Sequence, residues 1–265
     1  MLLFNYCKMS IKIEEKIKEK FLYSKKNNIL KNLYFFLQRF KLGGLKKNYT
    51  VTGVDLLLDY FFKNAKIKNG IYIDVGCNHP LVNNYTYLLY KSGWSGINID
   101  LDFHYIDMFN HFRPLDFNRQ VAISDVRGEA DLFFYHNKSA INTLSKEMHL
   151  LRGSNAKEIR KIQTETLNNV IKESKFSDKK VNLLSIDVEG FELNVLMGFD
   201  FEKYSPELVV VEYIDPAMKK AEFYNQNINN IINSELYNFM IDKNYKFINW
   251  FHSDLIFVNN KVRDQ

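Results

Sequence analysis

Three apolar runs in this chain each stop at an acid: "IYIDVG" (71–76), "GINID" (96–100) and "VNLLSIDVEG" (181–190). Short runs of this kind, apolar at nearly every position, read as strands buried on both faces. Helical segments lie between them, and such alternation implies a mostly parallel sheet covered by helices. In open sheets of that kind ligands bind outside the carboxyl ends of the strands, where the strand order reverses. The acids fall at that edge. One pattern therefore predicts both an α/β fold and the place of a site.

The rest of the chain fits around these strands. Residues 10–41 carry apolar positions at helical spacing (Ile11, Ile17, Phe21, Leu22, then Leu30, Leu33, Tyr34, Leu37, Phe40) and end in "KLGG" (41–44), where glycine suits a helix terminus. A short helix is predicted over 54–63. Then follow a strand at Ile71–Val75, a helix over 84–91 capped by Asn83 or Asn84, a strand at Gly96–Asp100 and a helix over 103–112. A third strand is expected at Gln120–Ser124 and a further one over 130–135. The polar stretch 137–165 reads as irregular. A helix over 166–174, a strand at Val181–Asp187 and a helix over 190–199 come next. After them come a strand at Glu207–Glu212, a helix over 228–243 and an antiparallel hairpin from Tyr245 to Asn260. The division expected is a helical extension, 1–65, before one α/β domain, 66–265.

Composition narrows the class. The 265 residues are 46% hydrophobic and 25% charged, enough to bury one large core. The net charge of +5 is mild, with much of the excess in the first 50 residues. A solvated helix face accounts for that excess most simply, although the basic helices could also touch a membrane surface peripherally. Cys7 and Cys77 match no metal-ligand spacing. "MLLFNYCKM" lacks the order of charges of a signal peptide, and no run of 18 apolar residues occurs, so a cytoplasmic protein is expected.

The acids suggest a ligand. Asp74, Gly76, Cys77 and Asn78 form the turn after the first strand, and Gly76 lets a ligand approach the backbone. Asp74 and Asn78 suit an ammonium group or a ribose, or simply a turn that bonds its own backbone. Asp100 lies 24 positions beyond Gly76, near the spacing of a ribose-binding acid. The fingerprint G-x-G-x-x-G and the lysine-bearing phosphate loop are both missing. A ligand with a ribose but no pyrophosphate is expected, and S-adenosylmethionine fits. Asp187 and Glu189 are candidates to orient or deprotonate an acceptor hydroxyl, or to favour a helix start, and Glu212 ends the neighbouring strand. Three acids at strand ends are also compatible with one Mg²⁺, which the pattern does not demand. His79, beside the turn, is a further base candidate because its pKa lies near neutrality, or else a surface turn residue.

The blocks "YIDVGCNHPLVNNYTYLLYKSGWSGINIDLD", "RPLDFNRQVAISDVRGEADLFFY", "SAINTLSKE", "ETLNNVI" and "VNLLSIDVEGFELNVLMGFDFEKYSPELVVVEY" occur in that order. Together they resemble the FkbM-type S-adenosylmethionine-dependent methyltransferases. The resemblance implies a class I, Rossmann-like methyltransferase fold and methyl transfer to a hydroxyl of a sugar, glycan or other small molecule. It implies that Asp74, Gly76 and Asn78 form the first cofactor motif, that Asp100 binds the ribose, and that Ser124 and Asp125 lie at the adenine edge. It places Asp187 and Glu189 on the family's Asp-x-Glu-Gly motif. Two positions depart from the pattern: Cys77, where alanine is common, and Tyr85, where a small polar residue is expected. A nucleic-acid methyltransferase is the chief rival, disfavoured because "DVEG" stands where an Asp/Asn-Pro-Pro-aromatic tetrapeptide would be. A nicotinamide-dependent oxidoreductase lacks its glycine fingerprint. A non-catalytic scaffold held to a membrane by residues 10–41 is the third alternative.

Overall fold

The computed structural model describes residues 47–215 and 227–263, together with Ile29, Lys31, Asn32 and Phe36, which are helical. Apart from those four positions, the helices expected over 10–41 lie outside the described residues. In chain order the strands are β1 (Ile71–Val75), β2 (Ser95–Asp100), β3 (Phe117–Gln120), β4 (Ala122–Ser124), β5 (Gly128–Phe134), β6 (Glu158–Thr166), β7 (Leu183–Ile186), β8 (Leu208–Glu212), β9 (Tyr245–Phe251) and β10 (Asp254–Asn259). Seven of them form one sheet in the order β3-β2-β1-β7-β8-β10-β9, parallel except for the terminal hairpin β9–β10. Strand order reverses between β1 and β7, so a cleft opens at their carboxyl ends.

Alternation along each strand divides the core. Ile73, Val75, Leu184, Ile186, Val209, Val211, Leu255 and Phe257 belong to one cluster, which includes Val170, Ile171, Val195, Leu196 and Met240 of the covering helices. Their neighbours Tyr72, Leu183, Leu208, Val210, Ile256 and Val258 belong to another, packed with Val54, Leu58, Phe62 and Trp94. Strands apolar on both faces are thus buried on both. Helix 54–64 packs on the second face, although the sequence reading placed it with the amino-terminal extension; contacts divide the chain between Lys47 and Asn48. No helix among the described residues is long and apolar enough to cross a membrane.

Several elements differ from expectation for identifiable reasons. The strand expected at Gln120–Ser124 is two strands: β3 ends beside β2, the Val121 N–H donates to the carbonyl of Asp100, and β4 leaves to pair with β6. The stretch 137–165 holds helix Lys146–Leu151, capped by Ser145, and β6, the centre of a second sheet ordered β4-β6-β5. The helix expected over 228–243 is broken, because Ser234 caps a new start by accepting the Tyr237 N–H. The helix expected from Asn84 begins at Tyr87; Asn84 is engaged elsewhere.

Candidate functional site

A cavity of about 580 Å³ opens at the carboxyl ends of β1, β2, β7 and β8. Gly76, Asn78 and Asp100 line one part of it, and Asp187, Glu189 and Glu212 line another. Its volume lies within the range of small-molecule sites, about 300–1,000 Å³.

The first part is built by backbone. The Gly76 and Cys77 N–H groups both donate to the carbonyl of Ile99, at 2.9 and 3.1 Å, which folds the turn over β2. Asn78, at φ 47°, then donates its N–H to Asp100 Oδ2 at 2.9 Å. Asp100 Oδ1 accepts the Asp102 N–H at 2.8 Å. Each carboxylate oxygen keeps a further lone pair for a ligand hydroxyl. Burial raises the Asp100 pKa to about 6, and the two backbone N–H groups oppose that rise.

Asp74 is not among the lining residues. Its Oδ2 accepts from Thr86 Oγ1 at 2.9 Å and from Asn84 Nδ2 at 3.2 Å. Behind these lies Arg113, fully buried, whose guanidinium donates to Thr86 Oγ1, Asn84 Oδ1 and the carbonyl of Pro80. Asn84 also donates to the carbonyl of Cys77 at 3.0 Å. Asp74 thus sits in a buried polar knot that shapes the 76–84 turn, and the knot takes up the carboxylate expected to receive a ligand. Cys77 is buried too, and burial pushes its thiol pKa well up.

His79 also lies outside the lining. Its Nδ1 accepts the N–H groups of Leu81 and Val82, at 3.1 and 3.2 Å, and burial lowers its pKa. It organises the turn at Pro80 and does not meet the acids. Ser124 donates to Asp125 Oδ1 at 2.8 Å, and neither lines the cavity; Gln120, Val121, Ala122 and Ile123 form that wall.

The acid end is built by three strand ends. Asp187 follows β7, and its N–H donates to the carbonyl of Val75 at 2.9 Å. Glu189 adopts φ 59° in the turn that follows, its carboxylate paired with Arg152 and its carbonyl accepting from Thr143 Oγ1 at 2.8 Å. Glu212 ends β8. Oxygens of Asp187, Glu189 and Glu212 all lie within 4.8 Å of one another, a set of hard donors that could hold one cation. Burial, then mutual repulsion, raises Asp187 and Glu212 well above the carboxylate range; burial also raises Glu189, against the pull of Arg152. Glu212 Oε2 is buried with no donor directed at it. The three carboxyls lie too close for their protonation to be independent.

Tyr85, noted in the sequence only as a departure from the family pattern, completes this end together with Asp254 and Arg152, which the sequence reading missed. Tyr85 lines the cavity and donates its hydroxyl to Asp254 Oδ2 at 2.7 Å. Asp254 lies opposite Glu212 in the β8–β10 ladder, and burial raises it to about 6. Arg152 and Asp254 sit at no diagnostic spacing from the motif; only Glu192, in "VEGFE", stood beside it in the sequence.

The family model described as the methyltransferase FkbM domain matches residues 74–246. The chain belongs to the FkbM methyltransferase family. The match begins at Asp74 and ends inside β9, so the FkbM model takes in both ends of the cavity except the contributions of Val51 and Thr52 before it and of His252, Ser253 and Asp254 after it. Among solved structures, a TehB-like S-adenosylmethionine-dependent methyltransferase from Corynebacterium glutamicum is similar at 11% identity and TM-score 0.39, covering 88% of this chain and 100% of that one. An O-methyltransferase from Bacillus cereus in complex with S-adenosylhomocysteine is similar at 10% identity and TM-score 0.39, covering 92% and 96%. A putative RNA methyltransferase from Pyrococcus horikoshii gives 10% and 0.39, covering 83% and 96%. At these scores the likeness carries no functional weight. No curated protein matches the chain in sequence. The FkbM match, with the observed sheet order and closing antiparallel hairpin, makes the architecture that of a class I methyltransferase.

Proposed function

We propose that this protein is an S-adenosylmethionine-dependent O-methyltransferase acting on a hydroxyl of a sugar, glycan or other small molecule. One observation carries the reading: a single cavity joins the Asp100 end to the clustered carboxyls of Asp187, Glu189 and Glu212.

The residues fit the cofactor. Asp100 presents two oxygens to ribose hydroxyls, and the Gly76–Asn78 backbone borders the same space without a phosphate cradle. S-adenosylmethionine supplies an electrophilic methyl group when bound. This chain's own part is to hold an acceptor oxygen in line and to take its proton. An aliphatic hydroxyl is a poor nucleophile, and a positioned base adds about 10²–10⁴-fold in rate. We assign that role to a carboxylate oxygen of Asp187. Glu212 lies beside it in the same acid cluster, and Glu189 is turned toward Arg152.

The lining also supports a small acceptor over nucleic acid. Asp100, Asp102, Asp187, Glu189, Glu212 and Asp254 line the cavity, against Arg160 as the one lysine or arginine among the described lining residues. A phosphate backbone would meet mostly negative charge. The test is label transfer from methyl-labelled S-adenosylmethionine to a panel of monosaccharides and polyols, with a duplex and a single-stranded oligonucleotide alongside. Label on an oxygen of a polyol supports the reading, and label only on the oligonucleotides overturns it.

A further inference from the structure

Glu192 is a buried carboxylate for which methyl transfer, as proposed above, has no direct use. It is 4% exposed, in the first turn of the six-residue helix Glu192–Met197. A carboxylate at that place would ordinarily serve the N–H groups of its own helix. Glu192 also turns back onto the preceding turn. Its Oε1 accepts the N–H of Val188 and the N–H of Gly190, both at 3.0 Å. Those two donors flank Glu189, the residue at φ 59°.

The backbone there is demanding. A non-glycine residue in the left-handed region is disfavoured by about 1–2 kcal/mol and holds that conformation only where its surroundings insist on it. Gly190 follows at φ 95°, and a Cβ on it would stand 2.1 Å from Met148 Cγ, so the turn is also pressed from outside. With its two N–H groups tied to one oxygen, the 188–190 turn has one shape. That shape points Glu189 at Arg152 and fixes where the chain leaves Asp187.

We propose that Glu192 is a positioning residue for methyl transfer: by bridging the Val188 and Gly190 N–H groups it fixes the turn that carries Glu189 and aims Asp187 into the acceptor end of the cavity. The proposal rests on the O-methyltransferase reading for its catalytic consequence, but not for the geometry. A turn misplaced by about an ångström costs on the order of 10²-fold in rate without abolishing binding. Gln at 192 keeps an oxygen able to accept both N–H groups, whereas Leu keeps the volume and offers none.

The experiment compares wild type, Glu192→Gln and Glu192→Leu by three readouts. These are amide chemical shift and hydrogen exchange at Val188 and Gly190, S-adenosylhomocysteine affinity, and label transfer from S-adenosylmethionine to a panel of monosaccharides and polyols. In wild type both amides should be protected and shifted downfield, a measurement that needs no variant to fold. In Glu192→Leu that signature should vanish and turnover fall about 10- to 100-fold, with S-adenosylhomocysteine affinity held within about twofold. Glu192→Gln should restore both signature and turnover. Unprotected wild-type amides, or Glu192→Leu turning over like wild type, would overturn the proposal. If wild type methylates nothing and binds no S-adenosylhomocysteine, the functional reading fails instead, and the amide signature alone decides the role of Glu192.

Discussion

A Cβ on Gly76 would stand 1.7 Å from the carbonyl oxygen of Asp187. The turn that borders the expected cofactor space and the residue assigned as base are therefore packed backbone to backbone, across the β1–β7 pair where strand order reverses. Gly76 also sits at φ 76°, which penalises any side chain. Gly76→Ala should cost about 2–4 kcal/mol in stability, from strain and overpacking together. Urea denaturation measures it, and a cost below about 0.5 kcal/mol would mean that the two segments separate easily.

Arg113→Leu should destabilise the fold by about 3–5 kcal/mol, because it leaves Thr86 Oγ1, Asn84 Oδ1 and the Pro80 carbonyl buried without their donor and removes the charge that offsets buried Asp74. Burial already raises Asp74 above its ordinary value, and the nearby Arg113 charge opposes that rise. Urea denaturation decides this too. A loss under about 1 kcal/mol would show that the knot is solvated in solution.

This knot marks the limit of what the sequence discloses. β1, β2 and β7 were legible because a strand buried on both faces must be apolar throughout, and helices between them forced a parallel order. β6 was not, because "EIRKIQTET" carries charges on an exposed surface and is held by pairing on both sides within the small sheet. At the site, Asp100, Asp187 and Glu189 line the cavity as their places at or just beyond strand ends imply. Asp74 has the same signature yet lies in the polar knot, because Arg113 arrives from the end of another helix at no recognisable spacing. His79 beside a glycine turn looked available, and only the fold shows its Nδ1 engaged by Leu81 and Val82. Asp254 reaches Tyr85 from the far end of the chain, a proximity that local pattern cannot encode.

Asp187→Asn should lower methyl transfer by about 10²-fold or more while leaving S-adenosylhomocysteine affinity nearly unchanged, since the amide cannot take a proton. Because burial and its neighbours raise the Asp187 pKa, wild-type turnover should climb with pH through a limb above the ordinary carboxylate range. Label transfer measured across pH, with and without a chelator, tests both statements. Undiminished turnover in the variant would remove Asp187 as the base, and chelator sensitivity would assign the three acids to a cation.

Asp100 links cofactor affinity to pH. Its pKa is raised from the ordinary 3.8 to about 6, so between those values the folded protein binds a proton that the unfolded chain does not. The stability this contributes is present at the acid side and is lost as pH rises through about 6. Ribose hydroxyls donate to the ionised carboxylate, so ligand binding should strengthen over the same rise. The gain in Tm given by S-adenosylhomocysteine should be small near about pH 5 and larger near about pH 7.5. Asp100→Ala should flatten that dependence and weaken binding by about 1.5–3 kcal/mol. A gain independent of pH, with unchanged affinity in the variant, would take Asp100 out of the site.

Calorimetric titration of the wild-type protein with S-adenosylhomocysteine, and separately with NAD, tests the central claim most directly. The cavity joining Asp100 to the Asp187–Glu212 pair predicts saturable binding of S-adenosylhomocysteine at one site per chain and no measurable heat from NAD. Binding of NAD with none of S-adenosylhomocysteine would contradict the account.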